Sequence, residues 1–216
     1  AGVKVRISES ISKGDKNEKK TLIKYILRPF SHWFTNCYMA NSIDCGIWQF
    51  GKKTYDRGKV NIFKTVIDAN ANAFNAKLRE DTRKEFGWEN KIVYGFIGRY
   101  VPQKNPLFLI DIFNEIAKKQ ENAILVMIGF GELENEMHDR IESYGVTDKV
   151  IDLGRRDDIK QFYNAFDAFL LPSLYEGMPV VGIEAQCSGL PIFFSKNITE
   201  ETTASELAYY IGLEET

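Results

Sequence analysis

The sequence is poor in cysteine and in net charge, and each shortage excludes a class of function. Its 216 residues include only three cysteines, Cys37, Cys45 and Cys187, an odd number without the spacing of a metal site. The formal net charge of −2 gives no overall electrostatic reason to expect nucleic acid, so any anion binding has to be local. The sequence also shows no signal peptide and no apolar run of about 18 residues. We therefore expect a reducing, cytoplasmic setting and no nucleic-acid partner.

What the sequence does contain, from about residue 91 onward, is an alternation of short apolar runs with helix-period stretches. The predicted strands are residues 91–98, 123–129, 149–154, 168–173 and 190–195. The predicted helices are residues 106–119, 132–145, 157–166 and 179–188. Asp157 is the expected N-cap of the third helix, and Pro179 suits the first turn of the fourth. This alternation predicts an α/β fold, a Rossmann-like parallel sheet with helices on both faces.

The first 75 residues form a less regular piece. The strands predicted there are residues 3–8, 36–41 and 59–66, and the helices are about 18–34 and 43–51. They resemble the end of another α/β domain, because the chain opens directly on a strand with nothing before it to complete a sheet. We therefore expect three parts: residues 1–75 from an N-terminal domain, a linker at 76–90, and a C-terminal domain at 91–216 that is incomplete at its end.

Two cations follow the first strand of the C-terminal part, in the loop GRYVPQKN at residues 98–105. Ligands of open parallel sheets lie beyond the carboxyl ends of the strands, so loops in this position are where chemistry is expected. Arg99 offers a fork of donors and Lys104 a point charge, and together they suit an anion such as a diphosphate. The alternative is that both are ordinary solvated loop cations.

A glycine-rich turn, GFGELE at residues 129–134, follows the second strand. Gly129 and Gly131 let the backbone come close to a ligand and direct helix-start amides towards it. Asp152, about 20 residues further on, invites a dinucleotide-binding interpretation. Glu134 at the third glycine position argues against that interpretation, as does the place of this strand in the order.

The loop after the fourth strand opens the stretch YEGMPVVGIEAQ at residues 175–186. Gly177 permits close backbone approach and Pro179 starts a helix, whose first free amides form a positive pole suited to phosphate. Glu176 before that pole and Glu184 within the helix are placed to accept hydrogen bonds from two sets of hydroxyls. A ligand with hydroxyls at both ends and anions between them is a nucleotide-sugar. The alternative is a helix-start carboxylate at Glu176 and a solvated Glu184.

The run PSLYEGMPVVGIEAQCSGLP resembles the paired-glutamate motif of the retaining glycosyltransferases of family 4, which belong to the glycosyl transferases group 1. GRYVPQKN is similar to the donor-phosphate loop of that family, and GFGELE to its GxG turn. The three motifs occur in family order, and the resemblance covers about residues 20–195. It implies the GT-B architecture, in which two Rossmann-like domains face a cleft and the C-terminal domain holds most of the sugar donor.

The resemblance also implies a role for each motif residue. Arg99 and Lys104 would neutralise the donor diphosphate, and Glu176 would contact the donor sugar, so these three are the expected catalytic residues. Glu184 would bind the ribose hydroxyls, and amides near Gly177 to Val180 the phosphates. The full set of expected donor-binding residues is Gly98, Arg99, Lys104, Gly129, Gly131, Glu176, Gly177, Met178, Pro179, Val180 and Glu184. No metal and no cofactor are implied, only a nucleotide-diphosphate sugar as donor, a UDP-sugar foremost.

The expected reaction transfers a sugar with retention, without a metal, to a glycan or lipid-linked acceptor in bacterial-type capsule or exopolysaccharide synthesis. The sequence looks like a fragment of such an enzyme, and we expect no turnover by the chain alone. A non-catalytic nucleotide-binding or interaction module on the same fold remains an alternative, since a fold does not fix a function.

The segment at residues 16–34, KNEKKTLIKYILRPFSHWF, combines lysines at every fourth position with an apolar side. This pattern suits an interfacial helix on anionic lipid, so peripheral membrane contact at the inner face is one expectation. A surface helix with its apolar stripe against the domain core is the other.

Overall fold

The computed structural model describes residues 2–13 and 19–214, and within the first long helix it leaves out the side chains of residues 19–22, 24, 31 and 32. The chain forms two compact units. The first contains the residues up to Val66 together with two later segments, Tyr175–Pro179 and Asn197–Thr202. The second contains Ile67–Leu174, Val180–Lys196 and the residues from Thr203 onward.

The first unit contains a three-stranded parallel sheet in the order β1-β2-β3. Its strands are β1 (Ile7–Ser10), β2 (Cys37–Ala40) and β3 (Val60–Ile62), and its helices are α1 (Lys19–Phe34), α2 (Ile43–Phe50) and α3 (Lys52–Asp56). The Ser42 side chain caps α2 by accepting from the Cys45 amide at 3.2 Å. A small core of Ala40, Cys45, Phe50 and Val60 packs between α2 and the sheet. The first strand lies further along the chain than the predicted 3–8, and α3 was not predicted.

The second unit is built on a six-stranded parallel sheet in the order β6-β5-β4-β7-β8-β9. The strands are β4 (Ile92–Ile97), β5 (Ala123–Ile128), β6 (Val150–Asp152), β7 (Ala168–Leu171), β8 (Ile192–Ser195) and β9 (Ala208–Ile211). The helices are α4 (Ala76–Phe86), α5 (Pro106–Lys119), α6 (Glu134–Ser143), α7 (Ile159–Ala165) and α8 (Val180–Cys187). The predicted alternation of five strands and four helices is confirmed. The sixth strand, β9, was not predicted; it is only four residues long, and half of these residues are exposed.

Helices cover both faces of this sheet, as predicted. On one face the Tyr94 ring of β4 lies 6.4 Å from the Phe113 ring of α5. On the other face a Cβ at Gly95 would overlap the Phe166 ring, which follows α7. Because neighbouring residues of a strand point to opposite faces, α5 and α7 lie on opposite sides of β4.

Residues 76–90, predicted as a linker, contain α4, which packs on α7 within the second unit. The guanidinium groups of Arg79 and Arg83 both pair with the Asp167 carboxylate, which also accepts from the Val93 amide at 2.8 Å. Burial alone raises the pKa of the Asp167 carboxyl, but these hydrogen bonds outweigh it and hold the pKa below its ordinary value. The arginine pair thus joins α4 to the start of β4 and β7, and the compact units divide the chain before the predicted boundary.

The start of α7 differs from the prediction. The helix begins at Ile159, with Asp158 in the cap position, so Asp157 is not its N-cap. The Asp158 carboxylate makes no capping bond and accepts from the Arg156 guanidinium and the Gln161 amide instead. Competition from a nearby arginine therefore decides which role the aspartate takes.

Candidate functional site

The order of the second sheet fixes where a ligand is expected. The chain moves from β4 outwards to β5 and β6, and then returns to place β7 on the other side of β4. Such a reversal leaves a crevice beyond the carboxyl ends of the two central strands, where open α/β sheets bind their ligands. The loops after β4 and β7 meet there, because the Leu174 amide donates to the Gln103 carbonyl at 2.8 Å.

The loop after β4 carries both predicted cations. It includes a short 3-10 helix at Pro102–Lys104 and ends at Asn105, whose φ of 55° is left-handed. The Lys104 side chain is half-buried and extends across Gly98, with its Cδ 3.7 Å from where a Cβ of that glycine would lie. Arg99 is exposed, and its side chain has no hydrogen-bond or ion-pair partner among the residues the structure describes. Lys104 is therefore held along the loop, whereas Arg99 is available to bind an anion.

Gly129 and Gly131 have a packing role that the sequence did not reveal. A Cβ at Gly129 would overlap the Gly98 carbonyl oxygen, and one at Gly131 would come 2.7 Å from the Tyr100 carbonyl carbon. The Tyr100 amide also donates to the Phe130 carbonyl at 2.9 Å. Both glycines are thus required by the close packing of the β5 loop on the β4 loop, whatever ligand lies nearby.

Two acidic residues of the dinucleotide interpretation have partners within the protein. Glu134 accepts from the Gly131 amide at 2.9 Å, and Asp152 accepts from the Tyr100 hydroxyl at 2.8 Å. Burial of Tyr100, reinforced by that hydrogen bond, raises the pKa of its hydroxyl well above the ordinary value. Asp152 therefore has a structural role in supporting the β4 loop.

The turn Tyr175–Pro179 carries the first glutamate of the paired motif, and it belongs to the first unit. Glu176 is only 7% exposed, and Gly177, Met178 and Pro179 are also buried. A carboxylate this buried has to be paired or hydrogen-bonded to remain charged. The sequence predicted Glu176 at this turn but gave no sign that the turn would group with residues of the first unit.

Glu184, the second glutamate, lies on α8 in the second unit. Its carboxylate accepts from the Tyr163 hydroxyl of α7 at 2.9 Å, and it is half-buried. Burial of Tyr163 and the nearby Glu184 charge raise the pKa of that hydroxyl well above its ordinary value. Since a carboxylate has about four lone-pair sites, one phenol leaves most of them for other donors.

Glu184 also borders a cleft of about 370 Å³ in the second unit. The polar side chains lining this cleft are Asn72, Asp157, Asp158, Lys160, Gln161 and Glu184. Carboxylates and amides dominate it, so it suits a neutral group rich in hydroxyls or N–H donors better than a phosphate. Tyr163 and this cleft were not predicted, because no spacing in the sequence reveals which helix faces α8.

The predicted site residues are divided between the two units. Seven of them lie in the second unit. The carboxyl edge of β4 and β5 carries Gly98, Arg99, Lys104, Gly129 and Gly131, and α8 carries Val180 at its start and Glu184 at its middle. Glu176, Gly177, Met178 and Pro179 form the turn that groups with the first unit. The motif from 176 to 184 therefore runs from one unit into the other.

The described parts of the chain contain neither a metal-binding cluster nor a membrane-spanning helix. No three His, Cys, Asp or Glu residues among them lie close enough to hold a metal ion. No helix among them is long and apolar enough to cross a membrane.

The parallel six-stranded sheet with helices on both faces is that of a Rossmann-like domain of the GT-B type. Comparison with known proteins gives the family. The model of the family "Glycosyl transferases group 1" matches residues 79–203, more than half of the chain. The chain belongs to this family.

Three similar proteins illustrate the relationship. EpsF of Bacillus subtilis, whose name places it among the glycosyltransferases, is 30% identical over 208 residues, 94% of this chain and 54% of EpsF. An Escherichia coli UDP-Gal:alpha-D-GlcNAc-diphosphoundecaprenol alpha-1,3-galactosyltransferase is 37% identical over 109 residues, 49% of this chain and 28% of that protein. HepE of Anabaena, solved with UDP and glucose, superimposes with a TM-score of 0.80 at 19% identity, covering 95% of this chain and 57% of HepE.

The likeness to HepE, at 19% identity, shows the fold alone. The chain spans about half of the length of EpsF, so the activity, substrates and partners of a whole enzyme do not transfer to it directly.

Proposed function

We propose that this chain binds the nucleotide-diphosphate sugar of a metal-independent, retaining glycosyltransferase of family 4. The observation that carries the proposal is Arg99, whose side chain has no partner among the described residues, on the same loop as Lys104 after the central strand β4. Two cations at a strand reversal suit the diphosphate and stabilise the negative charge of the leaving nucleotide. In other transferases a bound metal supplies that stabilisation.

The remaining motif residues receive roles consistent with their surroundings. Glu184 takes the ribose hydroxyls on the oxygen sites that Tyr163 leaves open, next to the polar cleft of about 370 Å³. The amides from Gly177 to Val180, at the start of α8, take phosphate oxygens. Glu176 contacts the donor sugar. UDP is the first nucleotide to test, because HepE has been solved with it.

The proposed reaction moves the sugar to a glycan or lipid-linked acceptor in bacterial surface polysaccharide synthesis, in the cytoplasm. Its support is the family, together with a relative named for transfer to a diphosphoundecaprenol-linked sugar. Because the chain spans about half of EpsF, donor binding is the activity we expect from it, and turnover is not.

Calorimetric titration with UDP, GDP and ADP tests the proposal. We expect one nucleotide to saturate the chain, and Arg99→Ala and Glu184→Ala to weaken its binding by about tenfold each. Matched controls are Arg57→Ala and Glu142→Ala, which remove an exposed side chain of the same kind elsewhere. Equal affinity in all four variants, or no binding by the unsubstituted chain, would contradict the proposal.

The alternative, a non-catalytic nucleotide-binding module, makes a different prediction for Glu176. A module that only binds a nucleotide has no use for a buried carboxylate directed at a sugar. Glu176→Gln would then leave the affinities for UDP and for UDP-glucose equal to those of the unsubstituted chain. In a transferase, it weakens UDP-glucose binding alone.

We also propose that α1 contacts the membrane surface from the cytoplasmic side. Its exposed apolar side chains are Ile23, Ile26, Leu27, Phe30, Trp33 and Phe34. Arg28 fixes the helix to α2 by donating to the Gln49 carbonyl at 3.1 Å, and its guanidinium lies over the rings of Tyr25 and Trp48. Lys16 is outside the described residues, and the side chains of Lys20 and Lys24 are outside the described side chains. An apolar helix face with basic neighbours in sequence suits an anionic bilayer.

Sedimentation with vesicles of anionic and of neutral lipid tests this contact. We expect binding to anionic vesicles that Trp33→Ala reduces and that Phe74→Ala, an exposed aromatic residue of the second unit, leaves unchanged. Absence of binding by the unsubstituted chain would contradict the membrane role without affecting the donor-site proposal.

A further inference from the structure

The turn that carries Glu176 rests on a residue that none of the sequence motifs include. Asn41 directly follows β2, and Ile11 directly follows β1, the neighbouring parallel strand. The Asn41 side-chain amide donates to the Ile11 carbonyl at 3.0 Å, while its main-chain amide donates to the Ser10 carbonyl at 3.1 Å. Because the donating atom must be Nδ2, the orientation of the amide is fixed, and Oδ1 is the atom left over.

Gly177 packs directly on this pair. A Cβ at Gly177 would overlap the Ile11 carbonyl oxygen and lie 3.0 Å from the Asn41 Oδ1. The backbone of Gly177 is not in the left-handed region, so closeness of approach explains the glycine and conformational freedom does not. Only a hydrogen atom fits between the turn and the Asn41–Ile11 pair.

Burial of the Asn41 side chain has an unusually high free-energy cost for a residue that only fills space. Asn41 is 6% exposed, and its Oδ1 has no hydrogen-bond partner among the described residues. Buried acceptors without a partner are rare in native folds and call for a specific reason. Backbone and side-chain arrangements of this costly kind concentrate at functional sites. A side chain needed for packing alone would have no use for an amide here.

We propose that Asn41 is a positioning residue for Glu176. Its side-chain amide holds the Ile11 carbonyl in the position against which Gly177 packs. This contact fixes the backbone direction of the turn and the direction in which the Glu176 carboxylate points. Asn41 itself touches no reacting atom. This inference rests on the proposed donor site, because it gives Glu176 a sugar to face.

Hydrogen exchange tests the structural half of the inference without any ligand. We expect Asn41→Ala and Gly177→Ala to speed exchange of the peptide spanning residues 173–180 by about tenfold. Two matched controls remove the same residue types elsewhere in the first unit. Asn61→Ala deletes an exposed amide that donates to the Tyr38 carbonyl, and Gly2→Ala adds a Cβ to open space. Unchanged exchange of residues 173–180 in both test variants would overturn the inference.

Binding of UDP and of UDP-glucose tests the functional half. We expect Asn41→Ala to weaken UDP-glucose binding by about tenfold while UDP binding stays within about twofold. In the Glu176→Gln background Asn41→Ala should cause no further loss, because it acts through that carboxylate. A residue with a merely structural role would lower the thermal stability and change both affinities together.

The outcomes separate the two levels of the account. Failure of the unsubstituted chain to bind UDP would overturn the donor-site proposal and with it the role of Asn41. Tight UDP binding with an unchanged UDP-glucose affinity in Asn41→Ala and Gly177→Ala would overturn the inference alone. Additive losses in the Asn41→Ala, Glu176→Gln double variant would do the same, since independent residues add.

Discussion

The loop after β4 and the turn that carries Glu176 both contain proposed donor-binding residues but are fixed in place by different means. The β4 loop is held within its own unit, by glycine packing against the β5 loop and by main-chain hydrogen bonds. The Glu176 turn depends on residues that follow β1 and β2, in the first unit. The β4 loop, proposed to bind phosphate, is therefore held by contacts within its own unit, whereas the turn proposed to face the sugar depends on segments far away in the chain.

The largest effect is expected where the β4 and β5 loops touch. Gly129→Ala would drive a Cβ into the Gly98 carbonyl oxygen, which is backbone and has no room to yield. We expect it to lower the free energy of unfolding by about 3 kcal/mol, as overpacking does. Urea unfolding measures the loss. Gly212→Ala is the control, because its Cβ would meet nothing closer than 4.0 Å. Equal stability of the two variants would show that the loops are not locked together.

A second prediction concerns pH and the pair of arginines on α4. The folded-state pKa of Asp167 lies below its ordinary value, so its stabilising contribution is complete above about pH 4 and is lost as the pH falls through the folded pKa. Asp167→Asn should lower the free energy of unfolding at pH 7 by about 2 kcal/mol and flatten its decline in acid. Thermal unfolding between pH 3 and 7 checks both effects.

A carboxylate that pairs with neither arginine serves as the control for this prediction. Asp148 is exposed and has no ion-pair partner among the described residues, so Asp148→Asn should leave the decline of stability in acid intact. If Asp167→Asn and Asp148→Asn gave the same dependence of stability on pH, the pairing of Arg79 and Arg83 with Asp167 would not be what joins α4 to β4 and β7.

The features of the fold and the site that depend on local interactions could be predicted from the sequence, whereas those that depend on contacts between distant segments could not. The limits of α5 were predicted to the residue, because Pro106 and the lysine-rich end are local signals. The parallel sheet and the positions of Arg99, Lys104 and Glu184 also followed from local patterns. The packing of Gly129 and Gly131 against the β4 loop, however, did not follow from the sequence, because it is a contact between two loops.

Other features were beyond local patterns altogether. Nothing in the spacing of residues pairs Tyr163 with Glu184, or Asn41 with the Gly177 turn, because each contact joins segments far apart in the chain. Strand β9 is a short edge strand, half of whose residues are exposed, and it was missed. The predicted cap at Asp157 is wrong by one residue, because α7 begins at Ile159 with Asp158 in the cap position.

The smallest effect is expected at Glu184. Tyr163→Phe removes one buried hydrogen bond and should lower the free energy of unfolding by about 1 kcal/mol. It should weaken UDP binding by no more than about threefold, because the carboxylate keeps its place on α8. Urea unfolding and calorimetry check the two numbers. A loss of UDP affinity as large as that of Glu184→Ala would mean that Tyr163, and not α8, orients the glutamate.

The most direct test of the account is a hydrogen-exchange comparison of the chain with and without saturating UDP. We predict slower exchange in the loop at residues 98–105 and in α8 from Val180 to Glu184, with the exposed helix α6 unchanged. Protection confined to other segments, or no protection anywhere at a UDP concentration that saturates binding, would contradict the donor site at the carboxyl ends of β4 and β7.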